Sequence, residues 1–558
     1  MTTQIAQRCI GALSLSALAA FPLASCSQST EGPVSATGPV VEIEQGKLEG
    51  AREGGLNVFK GIPYAAPPVG EQRWTPPEPP ESWDGIREAT AFGPSCVQPE
   101  LPMDSIYYDP PASMSEDCLS LNIWAPAEAE DAPVIVWIHG GSLRMGGSAQ
   151  PTYEGSPFAE RGAVFVSINY RLSILGWLAH PELSAQSSEG VSGNYGLLDQ
   201  IAALQWVRDS IAAFGGDPDN VTIMGESAGA LSVTYLMISP LAEGLFHKAI
   251  AQSTGIRAIP ELSNPTHGMP SAEAIGGVMA AAVGAEDLET LRAFDAVELT
   301  EAATQKGFIS QGTIDGHVLP AQLIEAFDEG RQAKVSLLAG FNSGESRVYR
   351  RFLPPVPESA AAYEEAIRSR YGDLADDFLA LYPSSDMEQS MLDALRDNFF
   401  AWGVERAVRK QVESGQPAFM YVFDRCDAAA RARDLCAFHA AELPYVFGKI
   451  GDKDAYPPNW PVPVGEKDSA LSAAMLNYWT SFAATGEPQS ANGPEWRSYA
   501  EDGAYMLFGD DPVAGANPMP GMFELNEEYM RRLNKQEKQW FLRVGTNAVP
   551  VCAAEEDC

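Results

Sequence analysis

The stretch Val221-Thr222-Ile223-Met224-Gly225-Glu226-Ser227-Ala228-Gly229 decides the fold, because it joins an apolar run to a helical pattern of small residues. A G-x-S-x-G sequence between a strand and a helix is typical of a nucleophile elbow. Such a turn is so tight that the residues beside the serine must be small. It lifts the Ser227 hydroxyl above the sheet at the start of a helix, where negative charge is favoured. The pattern alone is weak, since a tight turn with an incidental serine has the same composition. We interpret it as a prediction of acyl-bond cleavage through a covalent intermediate.

A second glycine-rich turn, His139-Gly140-Gly141-Ser142, follows the apolar run that ends at Ile138. It resembles the H-G-G-G loop with which esterases supply backbone N–H groups to a developing oxyanion. The predicted donors are Gly141 and Ser142, with Ala228 as the third. Ser142 stands where glycine is usual, so its N–H serves only if its backbone angles are allowed. The alternative is a generic glycine turn.

The catalytic histidine is predicted from chain order, which in this fold runs nucleophile, acid, histidine. Only four of the six histidines follow Ser227. Of these, His439 alone comes late enough to follow an acid that itself lies well after the serine. We expect the other histidines to be core or surface residues.

Position alone leaves three candidates for the acid. Glu345 comes just after the predicted buried strand 337–342, at the end of the strand where open α/β sheets place functional residues. A carboxylate there would hold the imidazole in the right tautomer. Asp315 and Glu442 remain alternatives at this point.

Alternating buried strands and helices predict the fold class. The runs 133–138 and 163–168 are continuously apolar, as expected for strands buried on both faces, and 197–214 has helical spacing. The sequence therefore predicts an α/β-hydrolase fold, with a large, mostly parallel central sheet and helices on both faces. The segments 262–300 and 355–415 are predicted to be mainly helical and to form a cap.

Three shorter segments and the domain bounds complete the prediction. An edge hairpin is expected at 40–43 and 48–50, and 445–447 is strand-like. No composition break divides 40–545, so we predict one large domain there, followed by a C-terminal tail over 546–558.

Further motifs identify the chain by resemblance. It is similar to the type-B carboxylesterase/lipase family, which includes cholinesterases, from about Val41 to Phe508, with the family's motifs in order and spacing. The resemblance implies that Glu345 is the acid and that Cys96 pairs with Cys118. The matching segments are Gly61-Ile62-Pro63-Tyr64-Ala65, Ser115-Glu116-Asp117-Cys118-Leu119, Asn122-Ile123-Trp124, Asn169-Tyr170-Arg171, Asn194-Tyr195-Gly196-Leu197-Leu198-Asp199-Gln200, Phe214-Gly215-Gly216-Asp217-Pro218 and Gly340-Phe341-Asn342-Ser343-Gly344-Glu345.

The resemblance also implies supporting residues and shows departures. Glu442 and Ser253 sit at positions that support the triad in the family, and we add Glu226 to them. Ser346 stands where the family has glycine. The cholinesterase tryptophan that stacks on choline aligns near Tyr108, in a shortened loop, which makes choline esters doubtful.

The N-terminus predicts export. A single charge precedes a small apolar run from Ile10 to Ala24 that is too short to span a bilayer. Leu23-Ala24-Ser25-Cys26 resembles a bacterial lipoprotein cleavage box. We therefore predict a signal peptide over 1–25, lipidation of Cys26 and a flexible tether over 26–39. The expected location is the bacterial envelope, in the periplasm or outer membrane; the alternative is plain secretion.

Cysteine usage supports export. Of eight cysteines, six remain after Cys9 and Cys26 are set aside, and short local loops in an oxidising compartment indicate disulfides. Six cysteines allow 15 pairings, so the pairing is inferred from proximity. Zinc is the rival interpretation, but the chain lacks paired C-x-x-C motifs. The expected pairs are Cys96 with Cys118, Cys426 with Cys436, and Cys552 with Cys558.

Composition excludes some functions. The chain has 37 basic and 74 acidic residues, a net charge of −37. Such a surface repels nucleic acid and anionic membranes. We interpret it as a solubility or high-salt surface, with steering of cationic substrates as a weaker alternative.

The sequence therefore predicts a serine hydrolase of small carboxylic esters that uses Ser227, Glu345 and His439, with no metal and no organic cofactor. Hydrolysis of amides, carbamates or lipid esters by the same residues is an alternative. A non-catalytic cell-surface binding protein is a more remote one. The sequence makes no prediction of oligomeric state.

Overall fold

A large eleven-stranded sheet organises the computed structural model, which describes residues 38–491, 493–539 and 543–552. Cys26 and the predicted signal peptide lie outside the described residues. Numbered along the chain, the strands of this sheet are β1 (Ala51–Glu53), β2 (Leu56–Pro63), β3 (Ser120–Pro126), β4 (Ala132–Ile138), β5 (Val164–Ile168), β6 (Gly216–Glu226), β7 (Lys248–Gln252), β8 (Ser336–Asn342), β9 (Ala418–Phe423), β10 (Ala504–Phe508) and β11 (Pro512–Ala516).

The sheet has a parallel centre and antiparallel margins. Its strand order is β11-β10-β9-β8-β7-β6-β4-β5-β3-β2-β1. The seven strands from β4 to β10 run parallel to one another. The remaining pairs are antiparallel. This arrangement confirms the predicted α/β-hydrolase fold, and it brings the carboxyl ends of the parallel strands to one edge of the sheet.

Alternation along the central strands fills two cores. On β4, Val134, Val136 and Ile138 belong to one buried cluster, whereas Ile135 and Trp137 belong to another. Successive side chains of a strand point to opposite faces, so each cluster covers one face of the sheet. A strand covered on both faces has to be apolar throughout, which is why the run 133–138 lacks alternation.

Helices surround the sheet, and 262–300 and 355–415 are mainly helical, as predicted. Among the described residues, no helix is both long and apolar enough to cross a membrane. The α-helices are Ser156–Ala159, Ser173–Trp177, Pro181–Gln186, Tyr195–Ser210, Ala228–Ile238, Ala272–Ala282, Leu288–Ala293, Ala296–Gln305, Leu323–Asp328, Ala360–Tyr371, Ala375–Leu381, Met387–Arg396, Trp402–Glu413, Ala428–Arg431, Leu443–Val446, Glu466–Thr485 and Met522–Lys535.

Two predicted elements differ in the structure. The hairpin Val40–Ile43 and Gly46–Glu49 forms, but it pairs with Ile86–Glu88 in a separate three-stranded sheet. The strand-like run at 445–447 coincides with the end of a short helix, Leu443–Val446, and with Phe447, which caps it. The first turn of this helix contains a proline. A short buried apolar run fits a strand or a helix equally well, so its pattern could not distinguish them.

Two of the expected disulfides are present, Cys96–Cys118 and Cys426–Cys436. The predicted pair of Cys552 with Cys558 falls partly outside the described residues, since Cys558 is among the undescribed ones. The segment before it packs on the domain: Ala548 is buried, and the carbonyl of Val549 accepts a hydrogen bond from Tyr529 Oη at 2.9 Å.

Candidate active site

Ser227 occupies the turn between β6 and the helix Ala228–Ile238. Its backbone has φ 55° and ψ −120°, a conformation that costs a residue with a side chain of the order of 1–3 kcal/mol. The turn closes because its neighbours are glycines. A Cβ on Gly225 would lie 2.4 Å from the carbonyl carbon of Gly229, and one on Gly229 would lie 2.0 Å from the carbonyl oxygen of Ile138. The Ser227 side chain is consequently partly exposed between buried neighbours.

The structure brings Ser227, His439 and Glu345 into one hydrogen-bonded chain. His439 Nε2 lies 2.8 Å from Ser227 Oγ, and His439 Nδ1 lies 2.6 Å from Glu345 Oε2. The other carboxylate oxygen, Oε1, accepts a hydrogen bond from the backbone N–H of Asn342 at 2.8 Å. Glu345 is fully buried, so both of its oxygens are oriented by the protein. A carboxylate at Nδ1 favours the tautomer whose Nε2 can accept the serine proton.

The loop that carries His439 is fastened to the turn that carries Glu345. The Gly344 N–H donates to the carbonyl of Ala437 at 3.0 Å, and Asn342 Nδ2 donates to the carbonyl of Phe438 at 2.9 Å. A Cβ on Gly344 would lie 1.9 Å from the carbonyl oxygen of Cys436, so this approach requires glycine. These contacts hold the acid and the histidine in register although 94 residues separate them.

The predicted oxyanion turn lies against the elbow. A Cβ on Gly140 would lie 3.3 Å from the Cβ of Ser227. Gly141 and Ser142 have φ of 102° and 60°, so Ser142 adopts the left-handed conformation expected of the glycine it replaces. Among the described residues, neither N–H has an acceptor. The N–H of Ala228 belongs to the first turn of a helix, where such groups have no intrahelical partner.

The first residue of this turn, His139, is a neutral, buried histidine. The His139 ring stacks on Tyr170 with 4.5 Å between ring centroids, and its carbonyl accepts a hydrogen bond from Tyr170 Oη at 2.8 Å. Burial lowers the pKa of His139 to about 4. It therefore supports the turn without adding charge to the site.

Comparison with known proteins identifies the family of this chain. The family model described as "Carboxylesterase family" matches residues 37–522. The chain belongs to the carboxylesterase family. The fumonisin B1 esterase of Sphingopyxis macrogoltabida is 37% identical over 491 residues, which cover 85% of this chain and 87% of the relative. The para-nitrobenzyl esterase of Bacillus subtilis is 36% identical over 490 residues, covering 86% of this chain and 96% of the relative.

The solved structures that resemble this carboxylesterase are also esterases. A structure of PNB esterase superposes with a TM-score of 0.75 at 32% identity, covering 88% of this chain and 99% of that chain. The Geobacillus stearothermophilus carboxylesterase EST55 superposes with a TM-score of 0.74 at 35% identity, covering 87% of this chain and 99% of that chain. The protein is a carboxylic ester hydrolase.

Glu226 gives this carboxylesterase a second carboxylate beside its histidine. Glu226 Oε1 lies 3.3 Å from His439 Nε2, and both side chains are buried. Burial by itself lowers the pKa of His439, but Glu226 and Glu345 outweigh it and raise that pKa. Burial raises the pKa of Glu226. The two groups interact strongly and titrate as a pair.

The other two supporting candidates, Glu442 and Ser253, differ in their hydrogen bonding. Glu442 is buried, and its carboxylate accepts hydrogen bonds from Asn342 Nδ2 at 2.5 Å and from Gln252 Nε2 at 3.1 Å. Burial, reinforced by the charge of Glu345, raises the pKa of Glu442. Ser253 is also buried, but its hydroxyl has no hydrogen-bond partner among the described residues. No hydrogen bond therefore joins Ser253 to Glu442 in the described part of the chain.

Asp315, the remaining alternative for the acid, has a local structural role. Its Oδ1 accepts hydrogen bonds from the backbone N–H groups of His317, Val318 and Leu319. Its Oδ2 accepts one from Asn194 Nδ2 at 2.9 Å. These bonds close a turn, and none of them involves the His439 ring, whose Nδ1 contacts Glu345.

Aromatic residues that sequence analysis missed surround the histidine. Tyr107 Oη donates to the backbone carbonyl of His439 at 2.8 Å. The ring centroids of Tyr349 and Phe400 lie 5.5 and 4.9 Å from that of His439. Tyr349, four residues after Glu345, could have been suspected from that spacing. Tyr108, which the alignment favoured, instead directs its hydroxyl to Glu100 at 3.4 Å.

The described residues also show what the site lacks. In the ranges 38–491, 493–539 and 543–552, no group of three or more His, Cys, Asp or Glu side chains is arranged to hold a metal ion.

Proposed function

We propose that this carboxylesterase hydrolyses small-molecule esters through an acyl-enzyme on Ser227. The observation that carries the assignment of roles is the chain of contacts from Ser227 Oγ through the His439 ring to Glu345. Contacts of 2.8 and 2.6 Å are within the range needed for proton transfer between a nucleophile, its base and an orienting acid.

In the first half-reaction Ser227 Oγ attacks the ester carbonyl while His439 Nε2 accepts the hydroxyl proton. The carbonyl oxygen becomes an oxyanion, and the N–H groups of Gly141, Ser142 and Ala228 stabilise it. His439 then gives its proton to the leaving alcohol. A water molecule repeats the sequence on the acyl-enzyme, so the acid is released and the serine restored.

The decisive experiment replaces the nucleophile. Ser227→Ala should lower the hydrolysis of 4-nitrophenyl butyrate by several orders of magnitude without changing the melting temperature, since the methyl group fits the same turn. Ser188→Ala is a matched control, because it removes an exposed hydroxyl, which contacts the neighbouring Glu189. Hydrolysis at the wild-type rate by the Ser227 variant would contradict the assignment.

Chemical labelling tests the same residue without relying on turnover. A fluorophosphonate probe should form one adduct, located by peptide mass spectrometry on Ser227, and prior heat denaturation should abolish it. Labelling of another residue, or no labelling of native protein, would argue against an activated serine.

The substrate is proposed only at the level of the bond cleaved. The names of the relatives, a fumonisin B1 esterase and a para-nitrobenzyl esterase, suggest including para-nitrobenzyl esters in a substrate panel. Amides, carbamates and lipid esters are the alternative substrates for the same residues. Absence of turnover across the entire panel would favour the non-catalytic binding role.

The location is a proposal based on the N-terminal sequence. The run before Cys26 and its small-residue box favour export and lipid anchoring in the bacterial envelope. Mass spectrometry of the membrane-extracted protein should find acyl chains on an N-terminal Cys26. An unmodified residue there would refute lipidation, and a retained segment 1–25 would refute export.

A further inference from the structure

Arg144 is a cation without a partner beside the oxyanion turn. It lies two residues after Ser142, and its backbone N–H donates to the carbonyl of Gly141 at 3.0 Å. The side chain is half-buried, and its Nε atom is shielded from solvent. Within the described ranges, the guanidinium makes no hydrogen bond and no ion pair.

Two more deeply buried arginines of this protein are paired with carboxylates. Arg171 contacts Asp199 at 2.7 Å, and Arg73 contacts Glu116 at 2.6 Å. In a chain with 74 acidic and 37 basic residues, a carboxylate partner is abundant. A guanidinium nitrogen removed from water without an acceptor loses hydration that nothing replaces. We interpret this unsatisfied nitrogen, two residues after the oxyanion turn, as a candidate contact for a polar group of the substrate.

A second arginine, Arg351, acts electrostatically on Arg144. Arg351 lies at the end of the 3₁₀ helix Glu345–Phe352, with its guanidinium over the Phe352 ring at 4.9 Å. Phe352 stacks on Tyr349 at 5.9 Å, and Tyr349 packs against His439. This series of contacts links Arg351 to the aromatic ring that packs against the histidine. Burial and the positive charge of Arg351 both lower the pKa of Arg144.

Arg351 is exposed to solvent and has no ion pair, unlike Arg347 and Arg350 on the same helix. Arg347 and Arg350 both form ion pairs with Asp434. Among the described residues, Arg351 has no carboxylate within 4 Å and no hydrogen bond. Two cations that repel each other and lack acceptors create a local site for an anion in a strongly acidic protein.

We propose that Arg144, assisted by Arg351, binds a carboxylate of the substrate, so that the enzyme prefers esters whose acyl part bears a second, free carboxylate. The proposal rests on the proposed function, because it adds a specificity residue to the same ester hydrolysis. A guanidinium binds a carboxylate through two parallel hydrogen bonds, which would fix the acyl chain relative to Ser227.

A purely structural role for Arg144 is the rival explanation. Glu301 is the nearest acidic influence and raises the pKa of Arg144, against burial and Arg351. However, Glu301 lies beyond ion-pair distance, and its Oε1 accepts a hydrogen bond from the Glu100 N–H at 3.1 Å. If Arg144 instead contacts Glu301 through a water molecule, the ratio of kcat/KM for charged and neutral esters will not depend on Arg144.

The test compares esters that differ only in the terminal group of the acyl chain. Ethanol release is measured for the monoethyl esters of succinate, glutarate and adipate and for ethyl butyrate, pentanoate and hexanoate. The wild-type enzyme should give a higher kcat/KM for the acid ester in at least one matched pair. Arg144→Gln should lower that ratio by roughly ten- to a hundredfold, as expected for loss of a charge-assisted hydrogen bond. The ratio divides out any general loss of activity.

Further variants keep the proposal falsifiable if Arg144→Gln folds poorly. Arg144→Lys should retain part of the preference, and Arg351→Gln should lower it less than Arg144→Gln does. Arg208→Gln, which removes an exposed cation paired with Asp209, should leave the ratio unchanged. A wild-type ratio of one or less for all three pairs would overturn the proposal, and so would a ratio unaffected by Arg144→Gln. Failure to hydrolyse any of the six esters, with 4-nitrophenyl butyrate still hydrolysed, would also overturn the proposal. Failure to hydrolyse 4-nitrophenyl butyrate as well would instead overturn the proposed function.

Discussion

Glu345 shows how one side chain fixes the chemistry of the site. One of its oxygens contacts His439 Nδ1 and the other accepts the Asn342 N–H, so the carboxylate cannot rotate away from the ring. Its contribution is therefore orientation and charge, both of which depend on the group being an acceptor at Nδ1.

Glu345→Gln should lower kcat on 4-nitrophenyl butyrate by about 10⁴-fold, because an amide that donates to Nδ1 selects the wrong tautomer of His439. The melting temperature should change much less than activity, since the two side chains have the same shape. Glu345→Asp keeps the charge with a shorter reach and should retain more activity than the amide. A loss of less than tenfold in the Gln variant would show that another group orients the histidine.

The pH dependence of activity tests Glu226. Because Glu226 and Glu345 raise the pKa of His439, the acid limb of kcat/KM should lie above the ordinary imidazole range. Below that limb the ring is protonated and cannot act as a base. Glu226→Gln removes one of the charges and should move the limb to lower pH by about one unit.

The pH at which kcat/KM falls on the acid side does not depend on the total activity of the variant. A variant that has lost part of its activity can therefore still be compared with the wild type. Glu160→Gln serves as the matched control, because it makes the same change at an exposed carboxylate that is distant in sequence from Glu226. A limb at the wild-type pH in the Glu226 variant would mean that Glu226 carries the proton in the resting enzyme.

At the scale of elements, the loop before His439 depends on a short covalent ring. The Cys426–Cys436 disulfide spans 10 residues and ends just before the strained positions Ala437 and Ala440, whose φ values are 45° and 72°. Hydrogen bonds from Gly344 and Asn342 complete the attachment. The histidine is thus held by a loop that the sheet alone would not order.

Replacing both Cys426 and Cys436 with serine should lower the free energy of unfolding by about 2–3 kcal/mol, the value expected for closing a ring of this length. We also expect kcat to fall because the histidine loop gains freedom. Urea unfolding and steady-state kinetics measure the two effects. Dithiothreitol should destabilise the wild-type protein by reducing this disulfide, whereas in the variant it can act only on the other disulfides. Identical urea-unfolding midpoints for the wild type and the variant would contradict the expected stabilising role.

Elements differ in how far the sequence could specify them. The strands 133–138 and 163–168 were predictable because a strand covered on both faces must be apolar throughout. The run 445–447 was wrongly assigned, since local pattern does not separate a buried strand from a buried helical turn. Ser227 and His439 follow from a motif and from chain order, whereas position left Glu345 open against Asp315 and Glu442, and the resemblance to a family decided it. Asn342, Gln252 and Tyr107 contribute through contacts between distant segments, which no local pattern encodes.

At the scale of the whole molecule, the dominant feature is the net charge of −37. Like charges on a compact surface repel one another and destabilise the folded state, and dissolved salt screens that repulsion. The Debye length falls from about 30 Å at 0.01 M salt to about 8 Å at 0.15 M.

Raising sodium chloride from 0.01 to 0.15 M should therefore raise the melting temperature by a few degrees. At these salt concentrations, the effect on stability comes mainly from screening of the charges and not from exclusion of salt from the protein surface. Repeating the scan near pH 4, where many carboxylates are neutral, should reduce the effect. An unchanged or lower melting temperature at neutral pH would show that salt-sensitive ion pairs outweigh the repulsion.

The distance along the chain between Ser227 and His439, 212 residues, has a consequence for synthesis. At about 5–20 residues per second, a ribosome completes the serine roughly 10–40 s before the histidine that activates it. A nascent chain that has passed the elbow but not the histidine loop holds an ordinary alcohol rather than a nucleophile. The polypeptide therefore cannot gain its reactivity before the histidine loop has been synthesised, which happens after the first nine strands of the large sheet.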